Sequence, residues 1–403
     1  MPETSVKSRI VLLSATDSPE KSSGNERLSR PKRIQTRVLN LDVLRGVAIL
    51  LVLFSHQVFM PNPGSFKDFI VGLHPVGQGG VDLFFVLSGF LVGGLLLTEV
   101  HQSGQIDVRR FLIRRAFKIW PPYFALLIVT GIQLVRHDGY TFQTMLQKLT
   151  PFVFSLQNYV GPWDIITQTW SLAVEEHFYV ALPIVLLCLS RRKSERFSIW
   201  RSLPVVAIGL LVFCNVFKVV GCVTGAFPVN GFNTHVRMDA LFIGVLLNYL
   251  HTYCKPFMGP VKNQSQLVFA SGILLVVLRY CLPATPLLRV MSWTLLYLGY
   301  GLCLLAVMNL TEGSLIDRVM KSHLSKFVAW IGLYSYSIYL WHFAFAGPFV
   351  ISKVIPFLPN AFKCPLGMSI YLVLAILNGV IFARLIDLPV LAFRNKFFPS
   401  RTA

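Results

Sequence analysis

The sequence predicts an all-α membrane protein: a single polytopic bundle of about ten transmembrane helices with both termini in the cytoplasm. Three observations carry this reading. Only 14% of the 403 residues are charged and 54% are hydrophobic, with a mean hydropathy of +0.61, whereas soluble domains carry about 25% charged residues. Apolar runs long enough to cross a bilayer, about 20 residues each, follow one another with short joints. The net charge of +19 is gathered in clusters that alternate with joints nearly free of Lys and Arg, which is the positive-inside pattern.

The spans are expected near 39–59, 77–98, 117–136, 169–189, 203–222, 235–253, 266–283, 291–310, 328–350 and 368–389. Residues 1–36 are polar and basic and read as a disordered cytoplasmic tail. Their one apolar patch, Ile10 to Leu13, is too short for a signal-peptide core. Residues 37–394 then form the transmembrane domain, and 395–403 a short basic cytoplasmic tail. Leu146 to Gly161 is apolar but short and interrupted by proline, so a re-entrant or interfacial piece on the outer side is expected there. The basic clusters are Lys7 to Arg37, then Arg109, Arg110, Arg114, Arg115 and Lys118, then Arg191 to Arg201, then Arg318, Lys321 and Lys326. Their placement at alternate joints makes the charge a topological signal and not a nucleic-acid footprint. Neither internal repeats nor inverted-topology symmetry stands out. The seven cysteines show no Cys-x-x-Cys spacing. Cys188, Cys214, Cys222, Cys281 and Cys303 fall in apolar runs and read as small buried hydrophobes, with no metal site implied.

Four blocks carry chemistry. The first span holds Asp42, Arg45 and His56, and an ionisable side chain at mid-membrane depth costs roughly 2.5–3.5 kcal/mol on insertion scales. Arg45 and His56 are separated by three helical turns plus roughly 20°, so they share a face about 16 Å apart along the axis. Asp42 is placed to pair with Arg45. The second span opens Gly77-Gln78-Gly79-Gly80-Val81-Asp82 and continues through Ser88, Gly89, Gly93 and Gly94. The glycines allow close helix packing; alternatively the glycine-rich start and Asp82 line an acceptor site near the outer face. In the third block, Arg114 and Lys118 are i,i+4 and Arg115 and Lys118 are i,i+3, gathering cations at the cytoplasmic entrance. They either anchor topology against anionic lipid or hold a phosphorylated donor. The fourth span begins Thr169-Trp170-Ser171-Leu172-Ala173-Val174-Glu175-Glu176-His177-Phe178-Tyr179, with Glu175 and Tyr179 on one face. Further on, Ser335-Tyr336-Ser337-Ile338-Tyr339-Leu340-Trp341-His342 puts His342 in mid-span, where it needs a polar partner such as a neighbouring hydroxyl.

In this order, the blocks resemble the acyltransferase-3 family of integral-membrane acyltransferases, over roughly Asn40 to Arg394. The Leu-Asp-x-Leu-Arg-Gly start with its Arg-x10-His spacing is the most specific element. The resemblance implies transfer of an acyl group, typically acetyl, from a coenzyme A thioester to a hydroxyl. The acceptor would be a sugar of a surface polysaccharide or glycolipid, or alternatively a lipid or a small molecule. Acyl-CoA would be a co-substrate, with no permanently bound cofactor, and the setting a bacterial inner membrane.

The same resemblance assigns roles. Arg45, Arg114, Arg115 and Lys118 would hold coenzyme A phosphates, His56 would be the general base, and Glu175 would orient His56 or the sugar. Asp42, Asp82, Ser88, Trp170, Tyr339 and His342 would be acceptor-binding or structural polar residues. Direct transfer and an acyl-histidine intermediate both stay open. The sequence departs from the family pattern at Lys118, where relatives commonly carry the second Arg of an Arg-x-x-Arg pair, and at Asp387-Leu388-Pro389, where they often have Glu-x-Pro. The C-terminal esterase-like domain of some longer members is expected to be absent. A proton-coupled transporter with Asp42, Arg45, His56 and Glu175 along its path is the rival reading; the missing repeat symmetry speaks against it.

Overall fold

The computed structural model describes residues 32–56, 65–161, 165–190, 199–225, 231–283, 285–359 and 363–399. Most of the N-terminal tail, the end of the first expected span, Arg191 to Arg196 and the last four residues therefore lie outside the described residues. Every regular element among the described residues is helical. In chain order these are α1 (Lys32–Ser55), α2 (Ser65–Ser103), α3 (Val108–Arg136), α4 (Phe142–Val153) and α5 (Trp170–Ser190). Then come α6 (Ile199–Thr224), α7 (Met238–Tyr253), α8 (Lys255–Asn263), α9 (Ser265–Cys281) and α10 (Pro286–Met308). The last are α11 (His323–Leu333), α12 (Ser335–Trp341), α13 (Lys363–Phe382) and α14 (Leu388–Phe397).

Seven helical stretches among the described residues are long and apolar enough to cross a membrane, or eight if α8 and α9, bent by 89° at their junction, form one span. The protein is thus an integral membrane protein, but its spans are less uniform than ten runs of about 20 residues. The stretch expected at 235–253 is α7, of 16 residues, about 24 Å long and short of the ~30 Å hydrocarbon core. The stretch expected at 328–350 breaks at Tyr334 and passes into π turns at His342–Ala346 and Val350–Val354. α1 begins at Lys32, inside the expected tail. α4, at 12 residues, is about 18 Å long and cannot span. Cys188 and Cys281 are exposed on the bundle surface, unlike Cys214 and Cys303. Lipid is as apolar as the core, so a small hydrophobe in a span is not driven inward.

Glycine sets how closely the central helices approach. A Cβ on Gly89 of α2 would collide with the Leu241 carbonyl of α7, and one on Gly244 of α7 with the Val86 carbonyl of α2. The same holds where α1 crosses α11: Gly46 faces the Val328 carbonyl and Gly332 faces the Asp42 carbonyl. Gly80 faces the Ala48 carbonyl at the α1–α2 crossing. These glycines therefore serve packing.

Charge fixes the same helices laterally. Lys218 of α6 and Asp239 of α7 pair at 2.5 Å with both side chains fully buried. Arg237, just before α7, pairs with Asp82 of α2. Its guanidinium sits 4.9 Å from the ring centre of Trp293 and 5.4 Å from that of Trp170, an arrangement that adds cation–π attraction to the ion pair. Asp82 is thus turned into a structural ion pair and away from any open site, because an unpaired carboxylate at this depth would cost more than any contact it gave up.

Two outcomes follow from this packing. Gly89→Val should destabilise the detergent-solubilised protein by about 1–3 kcal/mol in thermal unfolding, since a backbone carbonyl cannot yield to the new side chain. Gly209→Ala, with nothing within 4 Å, should stay within about 0.5 kcal/mol. Arg237→Met strands the Asp82 carboxylate and should cost about 3–5 kcal/mol, and adding Asp82→Asn should recover much of that loss. A double variant no more stable than Arg237→Met would show that the pair is not what holds α2 to α7.

Candidate active site

Five helices converge on one cavity of about 110 Å³, the liquid volume of roughly four water molecules. α1 contributes Arg45, α2 Phe84, Phe85 and Ser88, α3 Arg115 and Lys118, α5 Ser171, Glu175 and Tyr179, and α12 Tyr336 and Tyr339. α3 starts cleanly because Asp107 accepts the Arg110 backbone N–H at 3.0 Å, which is an N-cap. The i,i+3 spacing then turns Arg115 and Lys118 together into the cavity.

One end of the cavity is cationic. Arg45 lies 3.7 Å from Asp42, its neighbour one turn earlier. Arg115 is 5.5 Å from the ring centre of Tyr179 and 5.6 Å from that of Phe111. Arg114 points elsewhere: it donates to the Phe398 carbonyl, as Arg110 does to that of Pro399. The four expected cations therefore split. Arg45, Arg115 and Lys118 line the cavity, while Arg114 fastens the segment after α14; Phe393 within α14 and Phe398 just beyond it lie 5.9 and 5.8 Å from the Phe117 ring.

Polar groups continue along the wall. Tyr179 donates to Glu175 Oε2 at 2.8 Å, and Ser88 lies 3.0 Å from the Tyr179 hydroxyl. Glu175 thus lies on the cavity wall with Arg115 and Lys118 and, among the described residues, is hydrogen-bonded to Tyr179 and not to His56. Of the two roles expected for it, orienting His56 or the sugar, only the second is compatible with this placement. Its helix carries it onto the i+4 neighbour Tyr179, on the side of α5 that faces α3. Trp170 does not line the cavity and packs behind Phe85, 5.9 Å between ring centres. Of the two residues beside Glu175, His177 reaches Thr234 at 2.6 Å and Glu176 accepts from Trp120 at 3.4 Å.

Two imidazoles lie behind the cavity wall. Tyr339 lines the cavity, donates to the Gln168 carbonyl and lies 2.6 Å from the Ser171 hydroxyl. Behind it, 5.9 Å between ring centres, is His342, and His56 follows 4.9 Å further on. Neither His342 nor His56 lines the cavity itself. The hydrogen-bond partner of His342 is the backbone carbonyl of Tyr339, at 2.6 Å, and not the hydroxyl expected; its Nε2 has none. Sequence reasoning missed Arg237, Lys218 and Asp239, although each is an ionisable residue inside an apolar run. It also missed Tyr336, which donates to the Ile119 carbonyl at 2.8 Å and ties α12 to α3. No cluster of metal-ligating side chains occurs among the described residues.

Comparison with known proteins bears on this arrangement. Residues 38–384 match the family described as an acyltransferase domain, Acyl_transf_3. Proteins of several Staphylococcus aureus strains, named as candidate O-acetyltransferases, are 27% identical over 330 residues, covering 75% of this chain and 50% of theirs. The peptidoglycan O-acetyltransferase OatA of Listeria monocytogenes is 26% identical over 368 residues, which is 85% of this chain and 54% of its own. The O-acetyltransferase OatA of Staphylococcus aureus is 24% identical over 338 residues, covering 78% of this chain and 52% of its own. The chain thus spans about half the length of the relatives it matches. No solved structure matches it significantly. The matched residues include all five helices that line the cavity, and the chain belongs to the acyltransferase-3 family of membrane acyltransferases.

Proposed function

We propose that this protein moves an acetyl group from a coenzyme A thioester to a hydroxyl on a sugar of a surface polysaccharide or glycolipid. The observation that carries the reading is one cavity lined by three cations, Arg45, Arg115 and Lys118, with a pair of imidazoles lying behind its wall residue Tyr339. Coenzyme A is a polyanion on a linear arm that ends in a thioester. Arg45, Arg115 and Lys118 suit its phosphates through charge-assisted hydrogen bonds. The arm then lies along the cavity with its acyl group beside Tyr339, next to His342 and His56. Arg114 joins them only if a phosphate replaces the Phe398 carbonyl.

His56 is the general base of this reading. Its Nδ1 lies 2.9 Å from the Val52 carbonyl, so that nitrogen carries the hydrogen and Nε2 presents a lone pair. The acceptor oxygen bonds to the thioester carbon as Nε2 takes its proton. Collapse of the adduct breaks the carbon–sulfur bond and releases coenzyme A as the thiol. The donor arm occupies the cavity in this reading, so the sugar acceptor approaches His56 from the other side. Donor and acceptor thus meet at the imidazoles from opposite directions. That geometry suits ten spans with both termini and the Arg109–Lys118 joint cytoplasmic, in a bacterial plasma membrane.

His56→Ala should insert and fold yet lose acetyl transfer by about 10²–10⁴-fold in kcat, the range for removing a general base. Transfer near the wild-type rate by well-folded mutant membranes would refute the base assignment. Arg115→Ala and Lys118→Ala should each raise KM for acetyl-CoA by about tenfold or more, given roughly 1.5–3 kcal/mol per charged hydrogen bond. The penalty should shrink as salt rises and screens the contact. Unchanged donor KM in both variants would reduce these cations to a topology signal.

A further inference from the structure

A further buried cation stands beside those of the cavity, and the donor site as proposed does not use it. Arg394 lies in α14, past residue 384 where the family match ends, and is 4% exposed. Its Nε and Nη2 both donate to the side-chain carbonyl of the next residue, Asn395, at 3.1 and 2.8 Å. That acceptor is neutral. The charges acting on Arg394 most strongly are both cations, Arg114 and Arg115, and its own charge acts in turn on Lys118. Of Arg45, Arg114, Arg115, Lys118 and Arg394, only Arg45 has an ion pair among the described residues, at 3.7 Å to Asp42. Glu175 faces Arg115 and Lys118, but its Oε2 accepts from Tyr179. A buried guanidinium set among like charges bears repulsion as well as desolvation, and an anion relieves both.

The backbone shows where that anion would sit. Arg110, Arg114 and Lys118 follow at i,i+4 and form one stripe of α3, about 6 Å per step. Lys118 lines the cavity, and Arg114 and Arg110 lie one and two steps further out. Two backbone carbonyls hold the outer pair: Arg114 donates to Phe398 and Arg110 to Pro399. The Phe117 ring, 5.9 Å from Phe393 and 5.8 Å from Phe398, keeps α14 against α3. Arg394 is thereby brought alongside Arg114 and Arg115. The cations thus fall into an inner group at the cavity (Arg45, Arg115, Lys118) and an outer pair (Arg114, Arg394) whose acceptors are an amide side chain and a peptide carbonyl. Charged acceptors form roughly twice as strong a hydrogen bond as neutral ones, so a phosphate would outcompete both.

We propose that Arg394, together with Arg114, binds the 3′-phosphate of the coenzyme A donor. The proposal rests on the acyl-transfer reading above. Coenzyme A carries its groups in a fixed order from the thioester: the pantetheine arm, the pyrophosphate, then a ribose bearing the 3′-phosphate. With the arm in the cavity, the pyrophosphate meets Arg45, Arg115 and Lys118. The ribose phosphate is the next anion outward, and Arg114 and Arg394 are the next cations outward. The phosphate displaces the Phe398 carbonyl from Arg114, lifts that residue off α3 and gives Arg394 the counter-charge that Asn395 cannot supply. A donor without this phosphate keeps every inner contact and loses the outer one alone.

Coenzyme A and dephospho-coenzyme A differ only in that phosphate, so their binding to the purified full chain in detergent, measured by isothermal titration calorimetry, is the test. Wild type should bind coenzyme A about tenfold or more tightly than the dephospho form, the difference expected for one charge-assisted contact. Arg394→Gln should bind coenzyme A about tenfold more weakly, with its affinity for dephospho-coenzyme A within about twofold of wild type. Arg394→Lys, which keeps the charge but not the planar fork, should recover part of the preference. Thermal melts check folding, and if Arg394→Gln is unfolded, Arg114→Gln carries the same expectation. Equal weakening of both ligands overturns the proposal, because it marks a packing role; unchanged affinity for both overturns it as well. A wild-type protein that binds the two ligands equally sinks this proposal and leaves the donor reading standing. One that binds neither sinks both.

Discussion

Taking a carboxylate or a guanidinium out of water costs several kcal/mol per ion even after the protein relaxes around it, and this bundle is arranged around where that cost is offset. Lys218 with Asp239 and Arg237 with Asp82 are close, buried pairs that join α6 to α7 and α7 to α2. The cations of the cavity are held differently. Arg45 is 3.7 Å from Asp42, and Arg115 rests over aromatic rings. Charges with tight internal partners have nothing left to offer a ligand. Those with loose partners gain most when an anion arrives, so the same desolvation cost that locks one set of helices leaves the other set ready for a donor.

Close backbone approach is what brings the two sets into register. α1 is pressed against α2 at Gly80 and against α11 at Gly46 and Gly332. α12 follows α11 after a single residue, Tyr334. The contact between α1 and α11 therefore delivers His342 to His56 with little freedom of position. A bulkier residue at Gly332 would push α11 off α1, and the change would propagate to the imidazole pair at the next helix. In a bilayer no solvent-driven collapse between helices would correct the gap.

The helical stretches and the stripe joining Arg45 to His56 were legible because both rest on periodicity, which survives in the bilayer unchanged. The bond from Tyr179 to Glu175 was legible for the same reason, as an i,i+4 pair on one helix. What could not be read was pairing between helices distant in sequence. Asp82 finds Arg237 across 155 positions, and no spacing rule reaches that far. The resemblance gave Glu175 the role of orienting His56 or the sugar, and α5 delivers it to the cavity wall beside Arg115 and Lys118. His342 looked in need of a hydroxyl, since an aromatic–serine run surrounds it. The π turn, invisible in the sequence, carried it to a second imidazole. Arg237, Lys218 and Asp239 are a different case: charges inside apolar runs announce themselves, and the rule that picked out Asp42 applies equally to them.

The separation of cations from imidazoles also bears on why a thioester survives in such a site. Water is the commonest competitor for any activated acyl group, and a base poised for a hydroxyl serves water equally well. Here the donor side of the imidazole pair is a cavity of about 110 Å³ walled by Phe84, Phe85 and tyrosine rings, which a threaded arm would fill. Filling it expels the few waters it holds and strengthens the charge contacts at its mouth. His56, the base of the proposed reading, lies behind Tyr339 and His342 and outside the cavity lining. An acceptor arriving from that side completes the seal. On this geometry, discrimination against water comes from the order in which the two openings are closed, and the length of α1 between Arg45 and His56 sets the distance between them.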